Sequence, residues 1–448
     1  HDHHAHHAQH KSPDFWNPQP PSSSELTDHE VPQLSQILAG QRIALLICGG
    51  IAAFKTPLLA RALRKHGAQV TAFVSNEALR YVTADALAWS TDQPVIQQLS
   101  ARAEHLGDGQ TFDAYLLAPA TYNTLNKFSH GIADNLISSV LAVALGRLER
   151  GLCQILVAPT MHGQMHNSIL EQSLLQLQEL GVTVIPPRDA YGKHNLPDES
   201  EIVYRTARAL SQSPLRQLPI LVTGGPTPVP IDSIRRLTNR FSGQLGLEMA
   251  KALFVAGAEV HWIHGQSHLQ VPEWLPCSEV DSFAAYQQAV LNVLAFHSCR
   301  AAIFSAAVAD YQPESVASGK IPSGGHLKEI RLQPTPKIIE QVRQTHPELA
   351  LISFKFEAGV SHAELMQIAR QRLAQGSAAV IANRAEEQGA EQVAWLVSPA
   401  APEQRLVGKA AIAQALVAWL EQQLFASPQA LELDDDSIEA EAPWFEPP

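Results

Sequence analysis

The stretch from residue 43 to residue 55, IALLICGGIAAFK, narrows the fold more than any other part of the chain. A short apolar run leads into Gly-Gly, an amphipathic segment continues to Lys65, and a second apolar run, QVTAFVS, ends at Ser75. That order reads as strand, turn, helix and strand, a βαβ unit. Gly49 and Gly50 let the backbone turn tightly beneath a helix N-terminus, where free N–H groups and the helix dipole favour a phosphate. The same pair also suits an ordinary turn with no ligand, so the glycines alone leave both readings open.

The unit is followed by FDAYLLAPAT (112–121), an apolar strand ending in a proline-bearing loop, and by KFSHGIADNLISSVLAVAL, which has a helical pattern. QILVAPT (154–160) repeats the design of strand and Ala-Pro-Thr, and VTVIPP (182–187) reads as a further strand. SQSPLRQLP (211–219) is a polar, proline-punctuated linker, after which PILVTGGPTPVPID restarts the pattern. The second half reads as a strand with GGPT (220–227), helix 243–256, strand AEVHWIHG and helix 282–297. Strand AAIFSAAVADY, a polar loop 312–328, strand LALISFKFE, helix 361–375, strand AAVIAN and a closing helix 408–424 complete it. Strands alternating with helices predict an α/β fold of two doubly wound, mainly parallel-sheet, Rossmann-like domains in tandem, at residues 38–212 and 213–425. Ligands are expected beyond the strand C-termini.

Composition bounds the rest. A chain of 448 residues is too long for one typical core. Hydrophobic residues at 45% and charged ones at 17% suit a globular protein, and no apolar run reaches the roughly 18 residues that span a membrane. The net charge of -12 argues against nonspecific nucleic-acid binding. Cys48, Cys153, Cys277 and Cys299 are scattered without metal-ligand spacing and read as reduced, cytoplasmic thiols. Residues 1–37 open with six histidines in the first ten positions and continue rich in Pro and Ser; they read as a tag or disordered arm able to bind Zn, Ni or Cu incidentally. Residues 426–448 read as an acidic, solvated tail.

Three features of the first half fall where a doubly wound sheet brings loops together: GGIAAFK with Ser75, APATYNTLNK (118–127), and APTMHGQMH (158–166). This half resembles the flavin mononucleotide-dependent cysteine decarboxylases, with their GGIAAYK-like loop, catalytic His, PASANT-like loop and PxMNxxMW segment. The second half resembles phosphopantothenate-cysteine ligase: TGGPTPVPIDSIRRLTNRFSGQLG (223–246) is similar to TAGPTxEPIDPVRxISNxSSGxMG, and SAAVADY followed by Lys320 to AAVADY…K. In this order the halves resemble the bifunctional phosphopantothenoylcysteine decarboxylase/phosphopantothenate-cysteine ligases of coenzyme A biosynthesis.

The resemblance implies FMN, CTP with Mg2+, and phosphopantothenate, cysteine and phosphopantothenoylcysteine as small-molecule substrates, in a trimer-based homo-oligomer. It implies His105 as a catalytic residue, fourteen positions before Pro119. Gly49, Gly50, Ser75, Pro119, Thr121, Asn123 and Met161 match flavin-binding positions. In the second half it implies Asn239 and Lys320 as catalytic, Arg235 as substrate-binding, and Ala306, Ala307, Asp310, Lys320, Lys337 and Phe354 as nucleotide-binding. No metal ligand is singled out.

The chain also departs from the pattern. His162 stands in the substrate-binding Asn position and His166 replaces an aromatic residue. RDAYGKHNLPDESEI, without a cysteine, follows VIPP where the family has its ACGxxGxGRM flap. The KxKK run reads Lys320-Ile-Pro-Ser, and helix 361–375 lacks the two phosphate-facing lysines, leaving Lys337, Arg370, Arg372 and Arg384 as replacement cations. Two further readings follow: a diverged flavoprotein paralogue with a binding, regulatory or scaffold role, and a decarboxylase for another cysteinyl substrate.

Overall fold

The structure, a computed structural model, describes residues 14, 16–100, 111–325 and 328–425. The His-rich start, the acidic tail and His105 lie outside the described residues.

The first half runs β1 (Arg42–Ile47), α1 (Thr56–Lys65), β2 (Gln69–Val74), α2 (Ala84–Thr91), β3 (Ala114–Ala120), α3 (Tyr122–His130) and α4 (Leu136–Glu149). It continues with β4 (Gln154–Pro159), β5 (Met161–His162), α5 (Ser168–Glu179), β6 (Thr183–Val184), β7 (Arg188–Ala190), β8 (Lys193–Asn195) and α6 (Glu199–Leu210). The main sheet has the order β2-β1-β3-β4-β6, all parallel. Its strands are apolar on both sides because helices cover both faces: α1 and α6 lie over Leu45, Ile47 and Leu116, while α3, α4 and α5 lie over Leu46, Leu117 and Val157. The strand order reverses between β1 and β3, so the loops after these two strands diverge and leave a crevice.

The second half begins with β9 (Pro219–Gly224), β10 (Val229–Pro230), β11 (Arg236–Leu237), α7 (Gln244–Ala256), β12 (Glu259–Gly265), β13 (Cys277–Val280), α8 (Phe283–Phe296) and β14 (Ala301–Phe304). Then come β15 (Tyr311–Pro313), β16 (Leu332–Pro334), α9 (Ile338–Thr345), β17 (Ala350–Glu357), α10 (His362–Ala374), β18 (Ala379–Arg384), β19 (Val393–Ser398), β20 (Ala401–Val407) and α11 (Lys409–Phe425). The eight-stranded sheet has the order β13-β12-β9-β14-β17-β18-β19-β20, with only β19 running against the other strands. Here the reversal falls between β9 and β14. The halves meet through α6: Tyr204 stacks on Trp274 at 4.6 Å, and Arg208 donates to the carbonyls of Phe254 and Ala258.

Several expectations change. The strand expected over residues 301–311 stops at Phe304, because Ala307 turns to bridge Pro226, and Tyr311 opens a separate antiparallel pair with β16. That pair interrupts the expected polar loop. The helical pattern after β3 is two helices, α3 ending at Gly131 with φ +72° and α4 starting at an Asn135–Ser138 capping box. VTVIPP contributes only Thr183–Val184, since Pro186 and Pro187 have no N–H for a ladder. The sequence leaves α9 and the β19–β20 hairpin unassigned. Part of the arm expected to be disordered is docked: Val31 is buried, and the N–H groups of Leu34 and Leu38 bond to the carbonyls of Lys65 and His66, which the end of α1 leaves without partners. All four cysteines are free, and no described helix is long and apolar enough to cross a membrane.

Candidate functional site

In the first half the crevice is built from loops that touch. The Cys48 thiol donates to the Pro119 carbonyl at 2.9 Å, tying the end of β1 to the loop after β3. A Cβ added at Gly50 would lie 3.3 Å from Thr121 Cγ2 and 3.6 Å from Pro119 Cγ, and one at Gly49 would lie 2.5 Å from Glu77 Cβ. Both glycines are therefore fixed by close approach. The N–H of Gly50 is already bonded to the Cys48 carbonyl, so the donors left at this turn are those of Ile51 and Ala52, which open a 3-10 turn.

The hydroxyls expected to hold a cofactor also cap local structure. Thr121 Oγ1 accepts from the N–H of Thr124 as the N-cap of α3, and Ser75 Oγ accepts from the N–H of Ala78. Each hydroxyl keeps a second lone pair. Pro119 is buried, Asn123 is exposed on the first turn of α3, and Met161 is buried in the cluster that holds Leu170.

The segment after β4 reaches the same end of the sheet, with the Thr160 N–H bonded to the Ala120 carbonyl. Its β5 pairs with β8, Met161 opposite His194 and His162 opposite Lys193, and β8 turns back on β7 through Tyr191-Gly192. Both turn residues have positive φ, +56° and +69°, as a two-residue hairpin with matching twist requires. RDAYGKHN is thus a hairpin lying on the segment that carries His162. His162 Nδ1 accepts from the N–H of Gln164. A line of side chains pins the hairpin: Asp189 Oδ1 to His194 Nδ1 at 2.5 Å, His194 Nε2 to His166 Nδ1 at 2.9 Å, and His166 Nε2 to Glu171 Oε1 at 2.9 Å. The line ties the hairpin to the segment after β4 and to the first turn of α5. Sequence inspection flags His166 as a replacement but leaves out His194, whose partner is 28 residues away.

The second crevice is lined by glycines of the same kind. A Cβ at Gly225 would lie 2.8 Å from the Gly265 carbonyl oxygen, and one at Gly243 would lie 2.6 Å from the Gly225 nitrogen. Both have positive φ, so only glycine fits without strain. Across the gap, Asn239 Nδ2 donates to the Ala307 carbonyl at 2.9 Å, and the Ala309 N–H to Thr227 Oγ1 at 2.8 Å. Asn239, Ala306, Ala307 and Asp310 are thereby brought to the β9–β14 switch point. Lys337 stands at the N-cap of α9, two residues beyond Thr335, which bonds to the carbonyls of Ala309 and Asp310. Phe354 is half-buried on β17, one residue past the Ser353 that pairs with Phe304.

Asp232, absent from the expected set, organises the cationic side. It is buried, and its carboxylate accepts from the N–H groups of Ile234, Arg235 and Ile321 and from the Arg235 guanidinium. The Ile321 N–H and its other donors hold its pKa well below the usual carboxylate range. Arg235 also donates to the Ile321 carbonyl, so it anchors the loop that carries Lys320 instead of standing free for a substrate. The signal was an Asp three residues before an Arg in a turn.

His264 is a second omission: buried at the end of β12, stacked on Trp262 at 5.3 Å, with Cε1 3.0 Å from the Cβ position of Gly225. Burial lowers its pKa, so it is neutral at physiological pH. Two of the replacement cations are engaged elsewhere: Arg370 pairs with Glu403, and Arg384 with Glu387 and the Val360 carbonyl.

Comparison with known proteins now decides the lineage. The family described as "Flavoprotein" matches residues 33–211, and the "DNA/pantothenate metabolism flavoprotein C-terminal domain" matches residues 215–424. A protein named coenzyme A biosynthesis bifunctional protein CoaBC, from Thermococcus kodakarensis, is 35% identical over 365 residues, covering 80% of this chain and 89% of that one. This chain belongs to the CoaBC family. The relative of that name from Haemophilus influenzae is 33% identical over 323 residues, covering 68% of this chain and 77% of its own. Among solved structures, the DNA/pantothenate metabolism flavoprotein from Streptococcus pneumoniae is 27% identical, covers 46% of this chain and 99% of its own, and superposes with a TM-score of 0.41.

Proposed function

We propose that this CoaBC-family chain is an enzyme of coenzyme A biosynthesis, coupling 4'-phosphopantothenate to cysteine in its second half and decarboxylating the product in its FMN-binding first half. The observation that carries this reading is that relatives named as bifunctional CoaBC proteins align along both halves, each of which has a glycine-lined crevice at its own switch point. The departures at His162, at the hairpin without a cysteine and at Lys320-Ile-Pro-Ser are what a binding-only paralogue would rest on, and they are outweighed by the alignment with bifunctional relatives along both halves.

The residues of the first crevice fit FMN. Gly49 and Gly50 keep the turn tight against Glu77 and Thr121, Ile51 and Ala52 offer N–H groups to a phosphate, and the Ser75 hydroxyl proton is a further donor, whereas that of Thr121 goes to Thr124 Oγ1. FMN, when bound, supplies the two-electron acceptor for oxidation of a cysteinyl thiol. On the protein side, His105 is assigned to the proton abstraction. His162 is assigned to the substrate carboxylate, and Asn123 and Pro119 to the walls of the flavin site. The hairpin pairs with the segment that carries His162, and its Asp189–His194–His166–Glu171 line holds it there.

For the second half we assign CTP with Mg2+ as co-substrate. Gly225 and Gly243 let the nucleotide approach the backbone, Asn239 orients the acyl group, and Lys320 and Lys337 face the triphosphate. Asp310, exposed just after the Ala307 bridge, is assigned to the metal. Arg235 acts through the Asp232 anchor. The protein is assigned to the cytoplasm and to a trimer-based homo-oligomer.

The test is purification and reconstitution. About one FMN per chain, retained or taken up on addition, is the expected result. A colourless chain that refuses added FMN overturns the reading.

A further inference from the structure

Far from both crevices, at the opposite end of the second sheet, three metal-ligating side chains converge. Glu259 and His261 are two apart on β12 and share a face. On that face the next position, Ile263, packs against Phe283, Tyr286 and Val290 of α8, whereas the first two positions end the apolar row with a carboxylate and an imidazole. β13 pairs with β12 only from Trp262 onward, so this start of the strand is flanked by β9 alone. The third group, His297, terminates α8 directly above it.

The donor atoms are close. His261 Nε2 is 3.2 Å and His297 Nδ1 is 3.9 Å from Glu259 Oε1, and all three lie within 4.8 Å of one another. Ligands about 2.1 Å from a tetrahedral zinc ion stand about 3.4 Å apart, and the two imidazoles, now tilted over one another with centroids 4.0 Å apart, close the set by rotating about their side-chain torsions. The backbone that carries them is fixed. The Glu259 N–H bonds to the Leu218 carbonyl, the His297 N–H to the Val293 carbonyl, and the Arg300 N–H to the Pro219 carbonyl. The set is also reachable, since the Glu259 and His297 side chains are 52% and 40% exposed.

We propose that Glu259, His261 and His297 form a site for a zinc-class divalent cation, independent of the nucleotide chemistry. Two imidazole nitrogens and one carboxylate oxygen suit zinc or its borderline-soft neighbours, with water in the fourth position. They do not suit Mg2+ or Ca2+, which take oxygen ligands in larger number. The ion ties the start of β12 to the end of α8.

Zinc chloride alone, added to metal-stripped full-length protein, tests this by equilibrium dialysis and by anomalous scattering from soaked crystals. Wild type, His297→Gln and Glu259→Gln share the same His-rich N-terminus, so its zinc cancels in the comparison. Both variants change exposed side chains, and circular dichroism checks that each is folded. The expected result is one more zinc per chain in wild type, an anomalous peak among the three side chains, and at least about tenfold weaker uptake at this site in each variant. Equal uptake in all three proteins, with no peak there, overturns the proposal. A site filled equally well by Mg2+ overturns the ligand class.

Discussion

The two crevices are built by one rule and differ in where their charge is placed. Each lies at a strand-order reversal and is opened by glycines that a Cβ would block. Around the first, ionisable groups form a connected line, Asp189–His194–His166–Glu171, on a hairpin that lies over the β4 segment. Around the second, charge is used to hold backbone: Asp232 and Arg235 fasten the Lys320 loop, and Arg384 fastens the Val360 turn. The difference teaches that a cation near a crevice is not a ligand contact until its own partners are counted. Among the described residues, Lys320 and Lys337 show no ion pair, whereas Arg235, Arg370 and Arg384 do.

Breaking the first crevice has the largest expected effect. Gly50→Asp places a carboxylate against Thr121 and Pro119, and FMN affinity should fall at least about a hundredfold, roughly 3 kcal/mol, by flavin fluorescence. Retention of FMN at wild-type affinity would remove the assignment of this turn to the phosphate.

Lys320→Gln should weaken Mg-CTP binding at least about tenfold in calorimetry, the share of one charge-assisted contact. An unchanged affinity would move the triphosphate away from this loop.

The anchor beneath Lys320 has a pH signature. The folded pKa of Asp232 is depressed, so its contribution is fully present above the ordinary carboxylate value of about 4 and is lost as the pH falls below it. Wild type should therefore lose more stability between pH 5 and pH 3 than Asp232→Asn does, measured by urea unfolding. Parallel losses would show that the carboxylate is not held as described. The same variant should weaken nucleotide binding through the freed loop while leaving FMN content untouched.

The smaller effects sharpen the contrast. His194→Gln breaks the middle of the line, and should loosen the hairpin and lower the first-half turnover several-fold without releasing FMN. Arg370→Gln removes only an exposed pair with Glu403, and should leave CTP affinity and stability within about 0.5 kcal/mol.

What the sequence made legible follows from range. The βαβ units and both glycine turns rest on periodicity and on residues within a few positions, so the fold class could be read directly, whereas the strand order that sets the two switch points could not. The end of β14 could not, because SAAVAD stays apolar while turning, and only the Pro226–Ala307 bridge stops the strand. The hairpin on the β4 segment depends on a register between Met161 and His194, and the Lys320 anchor on a bond from Ile321 to Asp232 across 89 positions. Neither leaves a local pattern. The docking of Val31 and Leu34 on α1 likewise needs the carbonyls that the helix leaves open, which composition cannot show.

The account rests most heavily on the first crevice carrying flavin chemistry on a cysteinyl substrate. Anaerobic titration of the FMN-loaded chain with phosphopantothenoylcysteine, followed by flavin absorbance and by mass spectrometry of the substrate, tests that claim directly. The account predicts loss of carbon dioxide from the substrate together with bleaching of the flavin, which keeps the two electrons because, without a flap cysteine, the product remains the unsaturated thiol. Flavin that stays oxidised while the substrate binds unchanged would contradict it.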